Sequence, residues 1–192
     1  MAQRTQPKGA PPLRVVIAGG GVAALEAALA LADLAADLVS TVLIAPDAEF
    51  AYRPAAVLEP FGHGVEERFS VAEIAGEAGA EVHAGPLTWV DRAGRRAHTG
   101  DHASIGYDCL LLCLGARARV VHEHATTIAG IPGERSLQGL VKDIDAVRVR
   151  RLALVVPGPG SWQLPLYELA LLATDRARTR GVSLEVSIFT PE

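Results

Sequence analysis

The stretch VVIAGGGVAALEAALALA, residues 15–32, places three glycines between an apolar run and an alanine-rich segment. It fits the pattern G-x-G-x-x-G/A, in which the first glycine allows a tight turn and the second lets a pyrophosphate approach the backbone. The third position must be small, so that a helix and a strand can pack closely. This pattern predicts dinucleotide binding, and the alternative is a structural turn without a ligand. The residues concerned are Gly19, Gly20, Gly21 and Ala24.

The segments on either side of these glycines predict the elements that such a turn requires. Residues 13–18 predict a strand, residues 22–38 a helix and residues 41–46 a second strand, which together form a β-α-β unit. An acidic side chain is expected near the end of the second strand, where it holds ribose hydroxyls. That strand does not end on an acid, and Asp47 or Glu49 just beyond it are the candidates.

The composition favours an α/β protein and excludes some functions. Hydrophobic residues make up 49% of the 192 residues and aromatic residues only 5%. This aliphatic bias favours parallel strands that are buried on both faces by helices. The net charge of −4 and the absence of a basic block argue against nucleic acid as the main partner.

The sequence gives no sign of a signal peptide or a membrane span. The N-terminal residues 1–12 are polar and contain proline, which predicts a flexible lead-in. The most apolar helical segment carries Glu26, Asp33 and Asp37 on one side, as an amphipathic surface helix does. We therefore expect a cytoplasmic protein.

The middle of the chain predicts a small β-rich insertion. Ser70 and Glu73 form a capping box at the start of a short helix that Gly76 or Gly79 ends. Four short alternating segments within residues 80–108 predict an antiparallel meander. A buried strand over residues 109–114 follows, with Gly115 at its end.

The C-terminal third repeats the first pattern. Residues 116–140 predict an irregular connection. A helix is expected over residues 142–150 and a second β-α-β unit after it. The expected elements of that unit are a strand at 152–156, a helix at 165–179 stopped by Gly181, and a strand at 184–189.

The cysteines and histidines predict no redox or metal chemistry. Cys109 and Cys113 lie four positions apart on one predicted strand, roughly 13 Å from each other, which is beyond disulfide reach. We interpret them as core residues. The six histidines show no metal-ligand spacing on a common element, and no metal site is predicted.

These features together resemble a family. The glycine turn, FAYRP at residues 50–54, the meander, YDCLLLCLGAR at residues 107–117 and a second β-α-β start occur in the order seen in two-dinucleotide-binding-domain flavoproteins. This is the pyridine nucleotide-disulfide reductase-like superfamily. The resemblance is nearest to type II NADH dehydrogenases and sulfide:quinone oxidoreductases, and it covers residues 13–192, the N-terminal portion of such proteins.

The resemblance implies a Rossmann-like, three-layer FAD-binding domain with a small antiparallel β-meander, followed by the first β-α-β of a second Rossmann-like domain. The implied domains are an incomplete FAD-binding domain at residues 13–150 and a truncated second domain at residues 151–192. It also implies contacts with FAD. Gly19, Gly20, Gly21 and Ala24 would face the pyrophosphate, Asp47 the ribose, Arg53 the phosphates or the flavin, Leu87 the adenine, and Leu114, Gly115 and Ala116 would approach the cofactor through the backbone.

The second turn, residues 157–163, departs from the family as a site for NAD(P)H. Pro159 lacks an N–H that could serve a phosphate. The third small position is occupied by Gln163 or, in another alignment, by Leu166, and both are too large for close packing. Trp162 could stack on a ring or simply pack. The resemblance thus implies FAD as the cofactor, with NAD(P)H a further possibility, and no catalytic residue is recognisable.

The resemblance thus implies the N-terminal part of an FAD-dependent oxidoreductase that passes electrons from NAD(P)H through flavin to a quinone or other acceptor. The alternative is a non-catalytic flavin- or nucleotide-binding remnant, or a module that needs a partner chain. A stand-alone NAD-dependent dehydrogenase is disfavoured by the inserted meander. We also expect self-association, or a partner that covers an exposed sheet edge.

Overall fold

The structure is a computed structural model that describes residues 11–52, 57–64, 67–116, 120–128, 131–158 and 163–191. Side chains are described throughout these ranges except at residues 131–136. Contacts between residues divide the chain into two compact units. The first unit comprises Met1–Ala51 and Arg68–Ala116, and the second comprises Tyr52–Glu67 and Arg117–Glu192.

The first unit contains nine strands and two helices in its described part. The strands are β1 (Leu13–Ala18), β2 (Val39–Ala45), β3 (Glu49–Ala51), β4 (Arg68–Ser70), β5 (Glu81–Ala84), β6 (Leu87–Asp91), β7 (Arg96–Thr99), β8 (Ser104–Gly106) and β9 (Cys109–Leu112). The helices are α1 (Val22–Ala35) and α2 (Val71–Glu77).

A parallel four-stranded sheet in the order β5-β2-β1-β9 forms the centre of this unit. Its central strand β1 is fully buried at Val16, Ile17 and Ala18. Aliphatic side chains on both faces of a strand are typical of a sheet that is covered on both sides. Parallel pairing also brings the carboxyl ends of all four strands to one edge of the sheet.

Each face of this sheet has its own cover. Helices α1 and α2 cover one face, where Ala24, Leu25 and Ala75 are buried against Ile17 and Leu43. The antiparallel strands β6-β7-β8 cover the other face. The apolar core on that side consists of Val16, Val42, Ile44, Ala97 and Ile105. The first unit is therefore a three-layer, Rossmann-like structure with a small meander.

The second unit contains α3 (Ile131–Asp145), β10 (Arg151–Val155), α4 (Leu164–Thr179), β11 (Glu185–Phe189) and a 3₁₀ helix (Glu59–Phe61). Strands β10 and β11 pair with each other in parallel, and α4 connects them along the chain. Arg176 of α4 donates from Nε and Nη2 to the carboxylate of Asp145, at 2.8 and 2.6 Å. This two-point ion pair holds the pKa of Asp145 below its usual value and joins α4 to the end of α3.

Most predicted elements are confirmed, with bounds shifted by a few residues. The helix expected at 22–38 ends at Ala35, and the strand expected at 109–114 ends at Leu112. Gly181 does stop α4: its φ is +67°, and Val182 donates to the Ala177 carbonyl at 2.8 Å, as in a left-handed helix cap.

Three expectations about the fold are wrong. Strand β5 does not belong to the meander but pairs in parallel with β2, because the alternation of a short strand does not reveal its partner. The connection expected to be irregular up to residue 140 contains α3 from Ile131, since proline is tolerated in the first turn of a helix, and the helix expected over residues 142–150 already ends at Asp145. Cys109, expected in the core, is exposed because β9 is the outermost strand in the described sheet.

The predicted boundary between the FAD-binding domain and the second domain, at residues 150 and 151, stays a prediction. The contact-based division places residues 120–128 and 131–150 with the second unit. Residues 52 and 57–64, which lie between β3 and β4, also belong to the second unit, because Val57 and Phe61 are buried in its core with Ile144 and Leu169.

Removal of the α2 cap should destabilise the protein measurably. Ser70 Oγ accepts a hydrogen bond from the Glu73 amide at 3.2 Å, which satisfies one N–H of the first helical turn. We expect Ser70→Ala to lower the free energy of unfolding by about 1 kcal/mol. Chemical denaturation measures this change. Ser40→Ala, at an exposed strand position, is the control, and equal losses in both variants would contradict the capping role.

Candidate dinucleotide-binding site

The predicted glycine turn lies at the carboxyl end of β1, where it is fixed by two neighbouring strands. The Gly19 amide donates to the Ile44 carbonyl of β2 at 2.8 Å. On the other side, a Cβ built on Gly19 would lie only 2.0 Å from the carbonyl oxygen of Cys113. The φ of Gly19 is +138°, a conformation that other residues rarely adopt. Only glycine fits at this position.

The other two glycines face different surroundings. A Cβ on Gly20 would lie 3.2 Å from Cβ of Ala45, a close contact with the end of β2. A Cβ on Gly21 would have no atom within 4 Å. The backbone of Gly21 therefore borders open space at the point where α1 begins, which leaves room for a ligand.

The start of α1 has the features of an anion site. Gly21 is the N-cap and has no side chain to cap the helix, while its carbonyl accepts from Ala24 and Leu25 at 3.0 and 3.1 Å. Among the described residues, the amides of Val22 and Ala23 have no hydrogen-bond acceptor. Free amides and the positive end of a helix dipole stabilise a negative charge. A phosphate group would meet both at Gly21.

Ala24 lies where the pattern requires a small residue. It is completely buried and packs with Val15, Ile17 and Ala28 between α1 and the sheet. A larger side chain would push the helix away from β1. This observation supports the packing reason for the third position, and a contact between Ala24 and a cofactor stays a prediction.

The segments that follow β2, β5 and β9 contain other residues predicted to contact the cofactor, and they lie at the same edge of the sheet. The first two of these segments follow β2 and β5. Asp47 is exposed just beyond β2, and its carbonyl oxygen lies 3.9 Å from the position of a Cβ on Gly20. The Gly85 amide donates to the Ala45 carbonyl at 2.8 Å, which joins the end of β5 to the end of β2. Leu87 follows two residues later, partly buried against the meander core.

The end of β9 lies on the other side of the turn. The Cys113 amide donates to the Ala18 carbonyl at 2.8 Å, so this strand stays in register with β1 up to the glycines. Leu114, Gly115 and Ala116 follow and are all exposed, and the φ of Gly115 is +70°. These residues therefore offer accessible backbone beside Gly19. Arg53, which the resemblance places near the phosphates or the flavin, lies outside the described residues.

A polar cluster of His83, Thr99 and Asp101 lies near this edge, and no local sequence pattern indicates it. His83 Nε2 lies 3.2 Å from Thr99 Oγ1 and 3.3 Å from both carboxylate oxygens of Asp101. The Thr99 hydroxyl, the Ala103 amide and His83 lower the pKa of Asp101 to about 2, so the carboxylate is ionised at neutral pH. The sequence TGDH predicts a turn, but not that its aspartate meets a histidine on another strand.

In the second turn, residues 159–162, including Pro159 and Trp162, lie outside the described residues. Gln163 is the N-cap of α4 and makes no side-chain capping bond. Leu166 packs against the core of the second unit. Among the described residues, no helix is long and apolar enough to cross a membrane, and no three metal-binding side chains are grouped together.

The fold is similar to that of several solved oxidoreductases. Sulfide:quinone oxidoreductase from the hyperthermophilic bacterium Aquifex aeolicus matches with a TM-score of 0.78 at 23% sequence identity, over 93% of this chain and 43% of that chain. A ferredoxin reductase from Rhodopseudomonas palustris gives 0.58 at 20%, over 91% and 42%. NDH2 from Plasmodium falciparum, solved in complex with NADH, gives 0.59 at 14%, over 92% and 41%.

This chain has the Rossmann-like fold of the N-terminal portion of these oxidoreductases. It spans less than half of the length of each of the three. No protein-family model matches the sequence, and no curated protein matches it in a sequence comparison. The likeness concerns the fold in which the glycine turn connects β1 to α1.

The first and third glycines should respond differently to the same substitution. Gly19→Ala forces a Cβ against the Cys113 carbonyl in an unfavourable conformation, and we expect a loss of stability well above about 1 kcal/mol. Gly21 has a φ of −93° and open space around it, so Gly21→Ala should cost less than about 1 kcal/mol. Thermal unfolding of both variants tests this, and equal melting temperatures would contradict the described turn.

Proposed function

We propose that this chain binds FAD at the Gly19–Gly21 turn and forms the N-terminal part of an oxidoreductase that transfers electrons from NAD(P)H to an acceptor. The observation that supports this most strongly is the open, uncapped start of α1 at Gly21, which lies between the ends of β2 and β9. The likeness to oxidoreductases such as sulfide:quinone oxidoreductase supports the reaction class.

The surroundings of the glycine turn match the way in which open parallel sheets bind dinucleotides. In an open parallel sheet, ligands bind outside the carboxyl ends of the strands, with the pyrophosphate at the first helix and the ribose near the second strand. The amides of Val22 and Ala23 would then hold the pyrophosphate. The Asp47 carboxylate would accept hydrogen bonds from the ribose hydroxyls, and Gly115 would let the other half of the cofactor approach the backbone.

The chain's own contribution to the chemistry would be binding, orientation and exclusion of water. Bound FAD would supply the ability to take up a hydride from a nicotinamide and pass electrons to an acceptor such as a quinone or a small redox protein. Leu112 and Leu114, both exposed at the end of β9, would provide an apolar surface at the flavin end of the site. The backbone after β9 would fix the orientation of that end.

A nucleotide-binding module without its own activity is the second candidate function. The side chains of Gln163 and Leu166 are too large for the close packing of helix and strand that a second dinucleotide-binding turn requires. Such a module would bind FAD but would not oxidise NADH unless a partner supplied the remaining surfaces.

Absorbance of the purified full chain tests the proposal. We expect flavin bands after FAD is added and excess is removed by desalting, and bleaching of those bands when NADH is added. Gly21→Ala should stay folded but bind FAD roughly tenfold more weakly, because its methyl group occupies the space that a phosphate needs.

The outcomes separate the two candidates. Bands that NADH does not bleach would support the module rather than the oxidoreductase. A wild-type protein that takes up no FAD would overturn both, and equal affinity in Gly21→Ala would show that FAD binds elsewhere. Ser40→Ala is the control, since this exposed residue lies near the amino end of β2, away from the turn.

The exposed edge of the four-stranded sheet, formed by β9, also supports our proposal that the chain self-associates or binds a partner. Strand β9 has no outer neighbour among the described residues, and Leu112 and Leu114 are 59% and 64% exposed. An unpaired, apolar strand edge favours association with another chain. Size-exclusion chromatography with light scattering should show species larger than a monomer, and a strictly monomeric protein at high concentration would contradict this.

A further inference from the structure

The order of the strands determines where the adenosine half of a dinucleotide must lie. The pyrophosphate position at α1 belongs to β1, and the ribose position belongs to the end of β2. Since β5 lies beside β2 on the side away from β1, the base must extend toward the end of β5. The segment Gly85–Leu87 begins at that point, and the hydrogen bond from Gly85 to Ala45 holds it beside β2.

This segment is held on its other side by the turn between β7 and β8. The Gly100 amide donates to the Pro86 carbonyl at 3.0 Å. A Cβ on Gly100 would approach the ring of Pro86 to 3.2 Å, so the two backbones are closely packed. Leu87 pairs with Thr99 in the antiparallel ladder. The position of the Gly85–Leu87 segment therefore depends on the β7–β8 turn.

A side-chain network ties that turn to the central sheet. The buried hydroxyl of Thr99 donates its single proton to the Asp101 carboxylate. His83 Nε2 faces Thr99 Oγ1 at 3.2 Å and the Asp101 oxygens at 3.3 Å, all of which can only accept from it. Nε2 must therefore carry the hydrogen that completes the network.

The network connects both sides of the Gly85–Leu87 segment. His83 belongs to β5, two residues before Gly85, while Thr99 and Asp101 belong to the turn that packs on Pro86. His83 pairs with Ile44 in the sheet and is on the face that the meander covers. A shift of the turn that displaced Pro86 would therefore also break these bonds.

Closing the β7–β8 turn does not require His83. The turn has its own bonds, from the Thr99 amide to the Ala103 carbonyl at 3.1 Å and from the Ala103 amide to Asp101 Oδ1 at 3.3 Å. The β6–β7 turn is built in a similar way, because Asp91 Oδ1 accepts from the Ala93 and Gly94 amides at 3.0 Å each. Asp91 has no described bond to the central sheet, and this difference sets the β7–β8 turn apart.

We propose that His83, Thr99 and Asp101 are positioning residues that hold the Gly85–Leu87 segment in place for the adenosine half of the bound dinucleotide. They act through that segment and do not themselves contact the ligand. This inference rests on the proposed binding of FAD at the glycine turn. It predicts that loss of the network weakens the binding of adenosine-containing ligands at the site.

Titration of the full chain with FAD and with ADP tests this inference. Thr99→Val removes the hydroxyl that bonds both His83 and Asp101, whereas Asp101→Asn replaces one of the two carboxylate oxygens that face His83 with an amide nitrogen. We expect the affinity for both ligands to fall roughly tenfold in each variant. Thr99→Ser keeps the hydroxyl and should bind both ligands like the wild type. Asp91→Asn is the matched control, since it alters a turn aspartate at the other end of the same meander.

The melting temperature of each variant is measured alongside, and ligand titrations are made well below it. Should Thr99→Val fail to fold, His83→Leu provides a second way to break the network, because the His83 side chain is 26% exposed and tolerates replacement more easily. Loss of affinity in the network variants, with retention in Thr99→Ser and Asp91→Asn, would support the proposal.

Two results would overturn it while the proposed function stands. One is wild-type affinity for FAD and ADP in Asp101→Asn, Thr99→Val and His83→Leu. The other is an equal loss in Asp91→Asn, which would indicate general loosening of the meander. A wild-type chain that binds neither FAD nor ADP would instead refute the proposed function, and with it this inference.

Discussion

The close approach of the Gly19 backbone to the Cys113 carbonyl is the constraint on which the candidate site depends. There is no room for any side chain between β1 and the end of β9, so the chain must turn at a glycine. This glycine turn determines where α1 begins and which amides at the start of the helix have no hydrogen-bond acceptor among the described residues. Because the Ile44 carbonyl holds the same glycine from the opposite side, the turn is fixed by both neighbours of β1.

This constraint places the rest of the site through the parallel sheet. Once β1, β2, β5 and β9 are in register, their carboxyl ends meet at one edge, and the segments that follow them lie along the same edge as the glycine turn. The two covers of the sheet have different roles. Helix α1 supplies the free amides, whereas the meander supports the Gly85–Leu87 segment through Pro86 and Thr99.

Local patterns allowed much of this to be predicted from the sequence. The three glycines, the β-α-β periodicity and the cap at Ser70 each depend on residues close in sequence, and all are found where expected. The partner of β5 and the exposure of Cys109 depend on how strands assemble, which a single short pattern does not encode. The link between His83 and Asp101 was missed for the same reason, because it joins two segments that only the folded sheet brings together.

The most direct test of the account is to follow backbone amide resonances by NMR while FAD or ADP is added to the full chain. We predict the largest shifts at residues 20–23, with FAD and ADP both affecting residues 85–87 and only FAD affecting residues 114–116. Binding that leaves residues 20–23 unchanged would contradict the central claim that the open start of α1 holds the pyrophosphate of a dinucleotide.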